Sequence, residues 1–225
     1  MKTKPNKEKI VNTAEKLFIK KGYECVSVNE IIREARIAKG TFYHYFKNKE
    51  DVLDALIDKV TAQINEKLEL IIERTDLDSL EKLTECFGAI LAYKKVHRKL
   101  MKVLFQAIFK KQNIVMFYKI QQKSYQFFVP VLAKIIKQGK KEGIFRVSNF
   151  REVAEVISCL LVYYLGSAMF LMIDKKDLNS IYRNISKKTR VFEQITWTLL
   201  GVEAKRDLIN KKDQLILLKN VLKFN

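Results

Sequence analysis

The sequence predicts an all-α fold, and three observations support this prediction. The 225 residues include only seven glycines and two prolines, which is little turn chemistry for an all-β chain of this length. Apolar residues instead recur at spacings of three and four along most of the chain, as in amphipathic helices. Hydrophobic residues make up 48% of the sequence, enough for the core of one or two domains.

The charge balance is strongly basic. Lysine and arginine outnumber aspartate and glutamate by 43 to 25, which gives a formal net charge of +18 and an isoelectric point near 9.7. Such a charge favours a polyanionic partner, with nucleic acid ahead of an anionic membrane surface. Residues 1–50 carry 12 basic and 6 acidic side chains, so the basic excess extends beyond the N-terminal region.

An amphipathic helix is predicted over residues 7–21, and Gly22 is placed to end it. Its N-terminal arm carries Lys2, Lys4 and Lys7. Two interpretations of this arm remain open, because the lysines suit contacts to nucleic-acid phosphates and a frayed tail equally well.

Two short helices in a tight corner are predicted after this helix. Ser27 and Glu30 have the spacing of a capping box, so the first of the two helices begins there and runs to about Ala35. The corner comprises residues 36–38, and the second helix spans residues 39–46. Asn48 and Asp51 repeat the capping spacing and begin the next helix.

The second helix of the corner is too polar and aromatic to be plain core. Phe42 and Phe46, four residues apart, are its predicted inward anchors. A helix, a three-residue corner and a short polar helix are typical of a helix-turn-helix unit, whose second helix enters the DNA major groove. The alternative is an ordinary helical hairpin with a solvated face.

The residues of this region resemble those of a known family. The segments AEKLFIKKGYECVSVNEII and AKGTFYHYFKNKEDVL are similar to the DNA-binding domain of TetR/AcrR family transcriptional regulators, a resemblance confined to roughly the first 55 residues. It implies that the second helix meets the groove at Lys39, Gly40 and Thr41. It also implies that the aromatic residues of that helix touch bases and phosphates and that the next lysine holds the DNA backbone. The implied DNA-binding residues are Ser27, Lys39, Gly40, Thr41, Tyr43, His44, Tyr45 and Lys49.

Two residues of the corner depart from the family pattern. Arg36 stands where the family usually has glycine, and Ala38 stands where it often has serine. Because a side chain in a left-handed corner is strained, either the corner differs here or Arg36 tolerates the strain. The missing serine removes one implied phosphate contact, and Arg36 is a candidate for supplying another.

The remainder of the chain predicts a larger helical domain. We expect a helix of about 25 residues from Lys49, then helices over residues 80–95, 97–110 and 113–140. Asn113 is placed to cap the last of these, Pro130 to kink it, and Gly139 and Gly143 to close it. The predicted domains are residues 1–50, which bind DNA, and residues 51–225, which bind an effector and dimerise.

A stretch without charge covers residues 156–173, inside a helix that Asn149 and Glu152 are spaced to cap. A membrane span is one interpretation of its length. The favoured alternative is a helix buried between a core and a second subunit, without stable membrane insertion. The resemblance implies a homodimer through helices near 150–173 and 181–202, with Gly201 ending the latter. The basic amphipathic segment 207–224 either packs on the body, extends the dimer or touches a membrane surface.

Several kinds of chemistry lack their usual motifs. The three cysteines are far apart and no signal peptide precedes them, which predicts reduced thiols in a cytoplasmic protein. With two histidines and no CxxC or HExxH motif, we expect no metal site. The sequence contains no phosphate-binding glycine loop and no GxSxG motif, so we expect neither a cofactor nor an enzyme.

These observations predict a homodimeric transcriptional regulator, a repressor released from a palindromic operator by a small apolar or aromatic effector. The alternative is a helical dimeric interaction protein that binds a protein or membrane partner and contacts DNA non-specifically. Aromatic and amide side chains of the body are candidates for the effector site, although aromatics at helical spacing are also typical of core. The candidates are Phe87, Phe105, Gln106, Phe109, Tyr118, Gln122, Tyr125, Gln126, Tyr163 and Met169.

Overall fold

A computed structural model of the chain describes residues 4–109, 114–173, 177–203 and 207–209. These residues contain nine helices and no strand, so the all-α prediction is confirmed. The helices are α1 (Lys4–Lys21), α2 (Val28–Glu34), α3 (Lys39–Tyr45), α4 (Lys49–Glu73), α5 (Ser79–Val96), α6 (Arg98–Phe109), α7 (Ile114–Lys141), α8 (Phe150–Ile173) and α9 (Leu178–Leu200).

The chain divides into two compact units, of which the first comprises residues 1–60 and 99–118 and the second residues 61–98 and 119–225. Helix α4 contributes residues to both units. The sequence-based division into residues 1–50 and 51–225 stays a prediction.

In the first unit, α1, α2 and α3 contact one another in pairs. Phe18 of α1, Ile31 of α2 and Phe42 of α3 are completely buried at the centre of this group. Lys59 of α4 donates hydrogen bonds to Asn12 and Glu15 of α1, each at 2.7 Å. Apolar burial holds α1, α2 and α3 together, and this polar link joins the N-terminal half of α4 to α1.

Three glycines end their helices as predicted, since Gly143 follows α7 with a φ of 73° and the Ile144 amide beyond it donates to the Gly139 carbonyl at 2.9 Å. Gly22 follows α1 with a φ of 83°, and Gly201 follows α9 with a φ of 65°, both in the left-handed region that favours glycine. The prediction for Gly139 was wrong, because this residue lies inside α7 rather than at its end. A Cβ atom there would overlap the ring of Phe145, so the glycine provides space for an aromatic side chain that returns against α7.

In the second unit, α8 and α9 pack against each other. The rings of Tyr164 and Phe192 stack with centroids 5.2 Å apart, and the Tyr164 hydroxyl lies 2.9 Å from Thr189 Oγ1. Phe192 also meets Phe87 of α5 edge to face at 5.6 Å. Helix α5 begins with a capping box between Asp78 and Glu81, which sequence analysis had not identified.

Helix α8 is buried on one face only within the single chain. Ala154, Ile157 and Leu161 are buried, whereas Val156 and Tyr163 are exposed. Among the helices that the structure describes, none is both long enough and apolar enough to cross a bilayer. Between residues 156 and 167, the stretch without charge therefore has a buried face and an exposed apolar face.

Two sequence-based predictions lie wholly or partly outside the described residues. The predicted cap Asn113 lies outside the described residues. Most of segment 207–224 does too, although Leu208 and Ile209 are described and buried. Helix α7 continues through Pro130, and the kink expected there stays a prediction.

Candidate nucleic-acid interface

Helix α2 begins at the predicted cap, but the capping box is only half formed. The Ser27 hydroxyl accepts a hydrogen bond from the Glu30 amide at 3.1 Å. The Glu30 carboxylate does not return this bond to the cap. It pairs instead with the Lys21 ammonium of α1, and this hydrogen bond lowers the pKa of Glu30. The side chain that was predicted to close the box therefore joins α2 to α1.

The corner between α2 and α3 is a Schellman motif. The Arg36 amide donates to the Arg33 carbonyl at 3.0 Å, and the Ile37 amide donates to the Ile32 carbonyl at 3.3 Å. Arg36 occupies the left-handed position of this motif with a φ of 48°. The corner therefore keeps the geometry that suits glycine, and the chain accommodates an arginine in it.

Helix α3 presents one side to the interior of its unit and the other to solvent. Phe42 is completely buried and Phe46 is almost so, which confirms both as inward anchors. The exposed residues of this short helix are Lys39, Gly40, Tyr43 and His44. Thr41 and Tyr45 are half-buried on its flank. We call the four exposed residues the α3 outer face.

Aromatic contacts hold the outer-face side chains in place. The Tyr43 ring, which is 49% exposed, meets the edge of the buried Phe42 ring at 5.4 Å between centroids. The Lys39 ammonium lies 6.0 Å from the centre of the Tyr43 ring. His44 and Tyr45 form a second edge-to-face pair at 4.8 Å. Because Phe42 is fixed in the core, its contact holds one edge of the Tyr43 ring in place. The exposed part of that ring remains available to a partner.

Gly40 leaves an opening in the outer face. A Cβ atom built at this position meets no atom within 4 Å. A nucleic-acid backbone or base edge can therefore approach the helix closely beside Lys39 and Tyr43.

Lys49 turns toward its own chain. Its ammonium donates to the carbonyl oxygens of Tyr23 at 2.9 Å and Glu24 at 3.4 Å, and it lies 4.3 Å from the centre of the Tyr23 ring. Burial and then the charge of Glu50 raise the pKa of the Tyr23 phenol, so this ring stays neutral under the lysine. Lys49 therefore connects the loop between α1 and α2 to the start of α4. No sequence pattern had indicated that its partners are backbone carbonyls of that loop.

An apolar cavity of about 10 Å³ lies inside the second unit. Its lining comprises Leu68, Cys86, Phe87, Ile90, Phe128, Val131, Leu132 and Leu161. A space of this size admits at most one water molecule, so it is too small for an organic ligand in this structure. Of the predicted effector residues, Phe87 is the one that lines it within the described part of the chain. Burial raises the pKa of the neighbouring Cys86 thiol to about 12.

The other predicted effector residues are not gathered around this cavity. Tyr118, Tyr125 and Tyr163 are 61%, 41% and 68% exposed, and both Gln122 and Gln126 are exposed. Gln106 is half-buried. The side chains of Phe105, Phe109 and Met169 lie outside the described residues. The described residues contain no group of three or more histidine, cysteine, aspartate or glutamate side chains placed to hold a metal ion.

A short helix with an exposed basic and aromatic face, set after a tight corner on a three-helix core, defines a helix-turn-helix protein. The family model for bacterial regulatory proteins of the tetR family matches residues 10–56. A second model, for the tetracyclin repressor-like C-terminal domain, matches residues 94–187. The chain belongs to the TetR family of transcriptional regulators, whose members are regulators and not enzymes.

Individual relatives agree with this assignment. The chain is 41% identical to the Transposon Tn10 TetC protein of Escherichia coli over 70 residues, which are 31% of this chain and 34% of that protein. It is 25% identical to the uncharacterized HTH-type transcriptional regulator YvkB of Bacillus subtilis over 182 residues, 78% of this chain and 92% of YvkB. The first match thus spans about a third of its relative, and the second spans most of it.

A solved structure of RolR in complex with the ligand resorcinol is similar in fold. The TM-score is 0.64 at 17% identity, and the match covers 96% of this chain and 94% of RolR. At this identity the likeness concerns the fold alone.

Proposed function

We propose that this protein is a homodimeric, sequence-specific DNA-binding repressor of the cytoplasm, released from a palindromic operator by a small apolar or aromatic effector. The α3 outer face is the observation that carries the proposal. Lys39, Tyr43 and His44 stand exposed around the opening at Gly40, on a helix whose inner side is fixed in the core. A cation, a phenol and an imidazole are suited to phosphate oxygens and to base edges.

A single head of this size contacts only a few base pairs, which is too little to define one site in a genome. A two-fold dimer doubles the contacts and requires a palindromic site with half-sites about one helical turn apart. Exposed apolar side chains on α8 and α9 support such a dimer. They are Val156, Cys159 and Tyr163 on α8, and Val191 and Ile195 on α9. In each helix they recur at spacings of three or four, so they form a stripe that a second copy can cover.

The cavity in the second unit is the apolar space that an effector would have to enlarge, because at about 10 Å³ it holds no organic molecule in this structure. Its lining is apolar, and one wall is Leu68 of α4, the helix that begins at Lys49 in the other unit. In this proposal, an effector that enlarges the cavity displaces Leu68 and with it this part of α4. RolR, which is similar in fold, has been solved with the aromatic molecule resorcinol.

Selection from a random DNA pool tests the proposal. The purified protein at moderate salt should enrich a palindrome, and Lys39→Ala and Tyr43→Ala should lose this enrichment while remaining folded. Tyr43→Ala should weaken binding to the enriched duplex by about 1–3 kcal/mol if the phenol reads a base edge. If the folded dimer enriches no sequence, or if both variants enrich the palindrome as strongly as the unaltered protein does, the outer face does not read DNA sequence.

A further inference from the structure

Arg36 has a backbone conformation that the chain otherwise gives to glycine. Among the residues that the structure describes, the positive φ values belong to Gly22, Gly143, Gly201 and Arg36. Gly22 and Gly201 end helices, as the corner residue does. The Schellman motif at the corner fixes the φ of Arg36 at 48° through its two hydrogen bonds, so the arginine cannot relax without opening the corner.

The strain at Arg36 is not offset by contacts that stabilise the fold. A residue with a Cβ atom is less stable than glycine in the left-handed region, because its Cβ approaches the following carbonyl oxygen. The Arg36 side chain is exposed, and within the described part of the chain it makes no hydrogen bond or ion pair. By comparison, Arg33 on the preceding turn pairs with Glu34 at 3.4 Å. The surroundings hold Arg36 in a strained conformation that a glycine would relieve. Such retained strain indicates a use for the side chain.

The position of Arg36 indicates what that use is. It lies three residues before Lys39, the first residue of α3, on the solvent side of the corner. Ala38, which caps α3, makes no side-chain hydrogen bond and has no polar group to offer a ligand. Arg36 is thus the polar side chain of the corner that stands closest in sequence to the outer face. A guanidinium presents its donors in a planar fork that matches two phosphate oxygens.

We propose that Arg36 binds a phosphate of the DNA backbone beside each half-site, and that the chain accepts a strained corner in return for this contact. The inference rests on the proposed function, since it assumes that the α3 outer face meets DNA. A backbone contact carries no sequence information, so the effect of Arg36 should be the same on every duplex. It should also contribute to the salt dependence of binding, because each neutralised phosphate releases counterions.

Two variants separate the strain from the contact. Arg36→Gly removes both the strain and the charge, whereas Arg36→Lys keeps the strain and a charge but lacks the fork. Affinity is measured on the palindrome that the unaltered protein enriches and on a scrambled duplex, each over a series of salt concentrations. Arg36→Gly should bind both duplexes about tenfold more weakly, and the slope of log affinity against log salt should fall by about two per dimer. Arg36→Lys should keep most of the slope.

Urea unfolding of the same variants measures the strain. Arg36→Gly should raise the folding equilibrium constant about fivefold, since it relieves a left-handed side chain. Gly22→Arg is the matched control, because it introduces an arginine at the left-handed end of α1, where a Cβ atom meets nothing within 4 Å. Its loss of stability reports backbone strain without a steric clash and should be similar in size to the gain from Arg36→Gly.

Three results would overturn the inference. Unchanged affinity and salt slope in Arg36→Gly, with the palindrome still enriched by the unaltered protein, would show that Arg36 touches no phosphate. A loss confined to the palindrome would show that it reads a base instead. A decrease in stability of Arg36→Gly would show that the arginine supports the corner. If the unaltered protein enriches no palindrome, the proposed function itself fails, and the role of Arg36 fails with it.

Discussion

At the scale of single residues, a substitution at Gly40 distinguishes most clearly between an effect on stability and an effect on DNA binding. Alanine is more favourable than glycine inside a helix by about 0.5–1 kcal/mol, and the space around Gly40 is open. We expect Gly40→Ala to leave the protein equally or more stable and to weaken DNA binding, because the new methyl group occupies the opening in the outer face. Thermal unfolding and fluorescence anisotropy with the enriched duplex measure the two effects.

Gly88 provides the control for this prediction. It lies inside α5, is exposed, and also has no atom within 4 Å of a built Cβ. Gly88→Ala should match the stability gain of Gly40→Ala and leave DNA affinity unchanged. Equal DNA affinity in both variants would remove Gly40 from the predicted contact residues.

Lys49 is a residue for which resemblance and geometry suggest different roles. The resemblance implies a contact to the DNA backbone, whereas the structure shows its ammonium bonded to the carbonyls of Tyr23 and Glu24. We expect Lys49→Met to lower the free energy of unfolding by about 1–2 kcal/mol, since both carbonyls lose a charged donor. Chemical denaturation measures this loss, and Lys47→Met, which removes an exposed lysine from the loop just before α4, should cost much less. Unchanged stability together with a smaller salt slope would show that Lys49 serves DNA rather than the loop.

Cys86 reports whether the cavity is closed in solution. Burial raises the pKa of its thiol to about 12, so only about one Cys86 in ten thousand carries the reactive thiolate at pH 8. We expect iodoacetamide to label the exposed Cys25 first and Cys86 far more slowly, as followed by mass spectrometry of peptides. Because the pKa is raised, the labelling rate of Cys86 should still increase with pH well above 9, where an ordinary thiol levels off. Equal rates for Cys25 and Cys86 at pH 8 would mean that the cavity opens readily.

At the scale of helices, periodicity and capping signals predicted most of the elements. The 25 residues of α4, the inward position of Phe42 and the helix end at Gly22 all follow from local rules. The failures involve partners that are distant in sequence. Glu30 was predicted to cap its own helix but pairs with Lys21, and Gly139 was predicted to end α7 but makes room for Phe145. Local spacing determines where a helix begins, but only the packed structure determines which side chain it meets.

The exposed stripe on α8 and α9 is the element-scale basis of the proposed dimer. Val191 is 55% exposed in the middle of α9, so a charge there is tolerated by a monomer and costly in an apolar interface. We expect Val191→Glu to shift the protein from dimer to monomer in light scattering after size exclusion, with its helical circular dichroism retained.

A second exposed apolar residue serves as the control. Leu70 is 63% exposed on α4, away from the α8 and α9 stripe in sequence, and Leu70→Glu should remain dimeric. Cys159 gives an independent readout, because it is exposed in the single chain and should be protected from labelling in the dimer. A dimeric Val191→Glu protein with rapidly labelled Cys159 would place the interface elsewhere.

At the scale of the whole molecule, the candidate sites were predictable to different degrees. The helix-turn-helix unit could be predicted from the sequence because its residues lie within one continuous stretch, from Ser27 to Lys49. The cavity could not, because its lining comes from α4, α5, α7 and α8, whose pairing no local pattern specifies. Of the ten candidate effector residues, Phe87 alone is described at the cavity wall, since an aromatic at helical spacing does not reveal which side of the helix faces an interior space.

The spacing of half-sites tests the central claim most directly. Affinity is measured for the enriched palindrome and for the same duplex with five base pairs inserted between its half-sites. Since five base pairs rotate one half-site by about half a helical turn, a dimer with coupled heads cannot engage both at once. We predict that the insertion reduces affinity to that of a single half-site. Equal affinity for the two duplexes would show that the heads bind independently, and would contradict a homodimeric repressor that reads a palindrome.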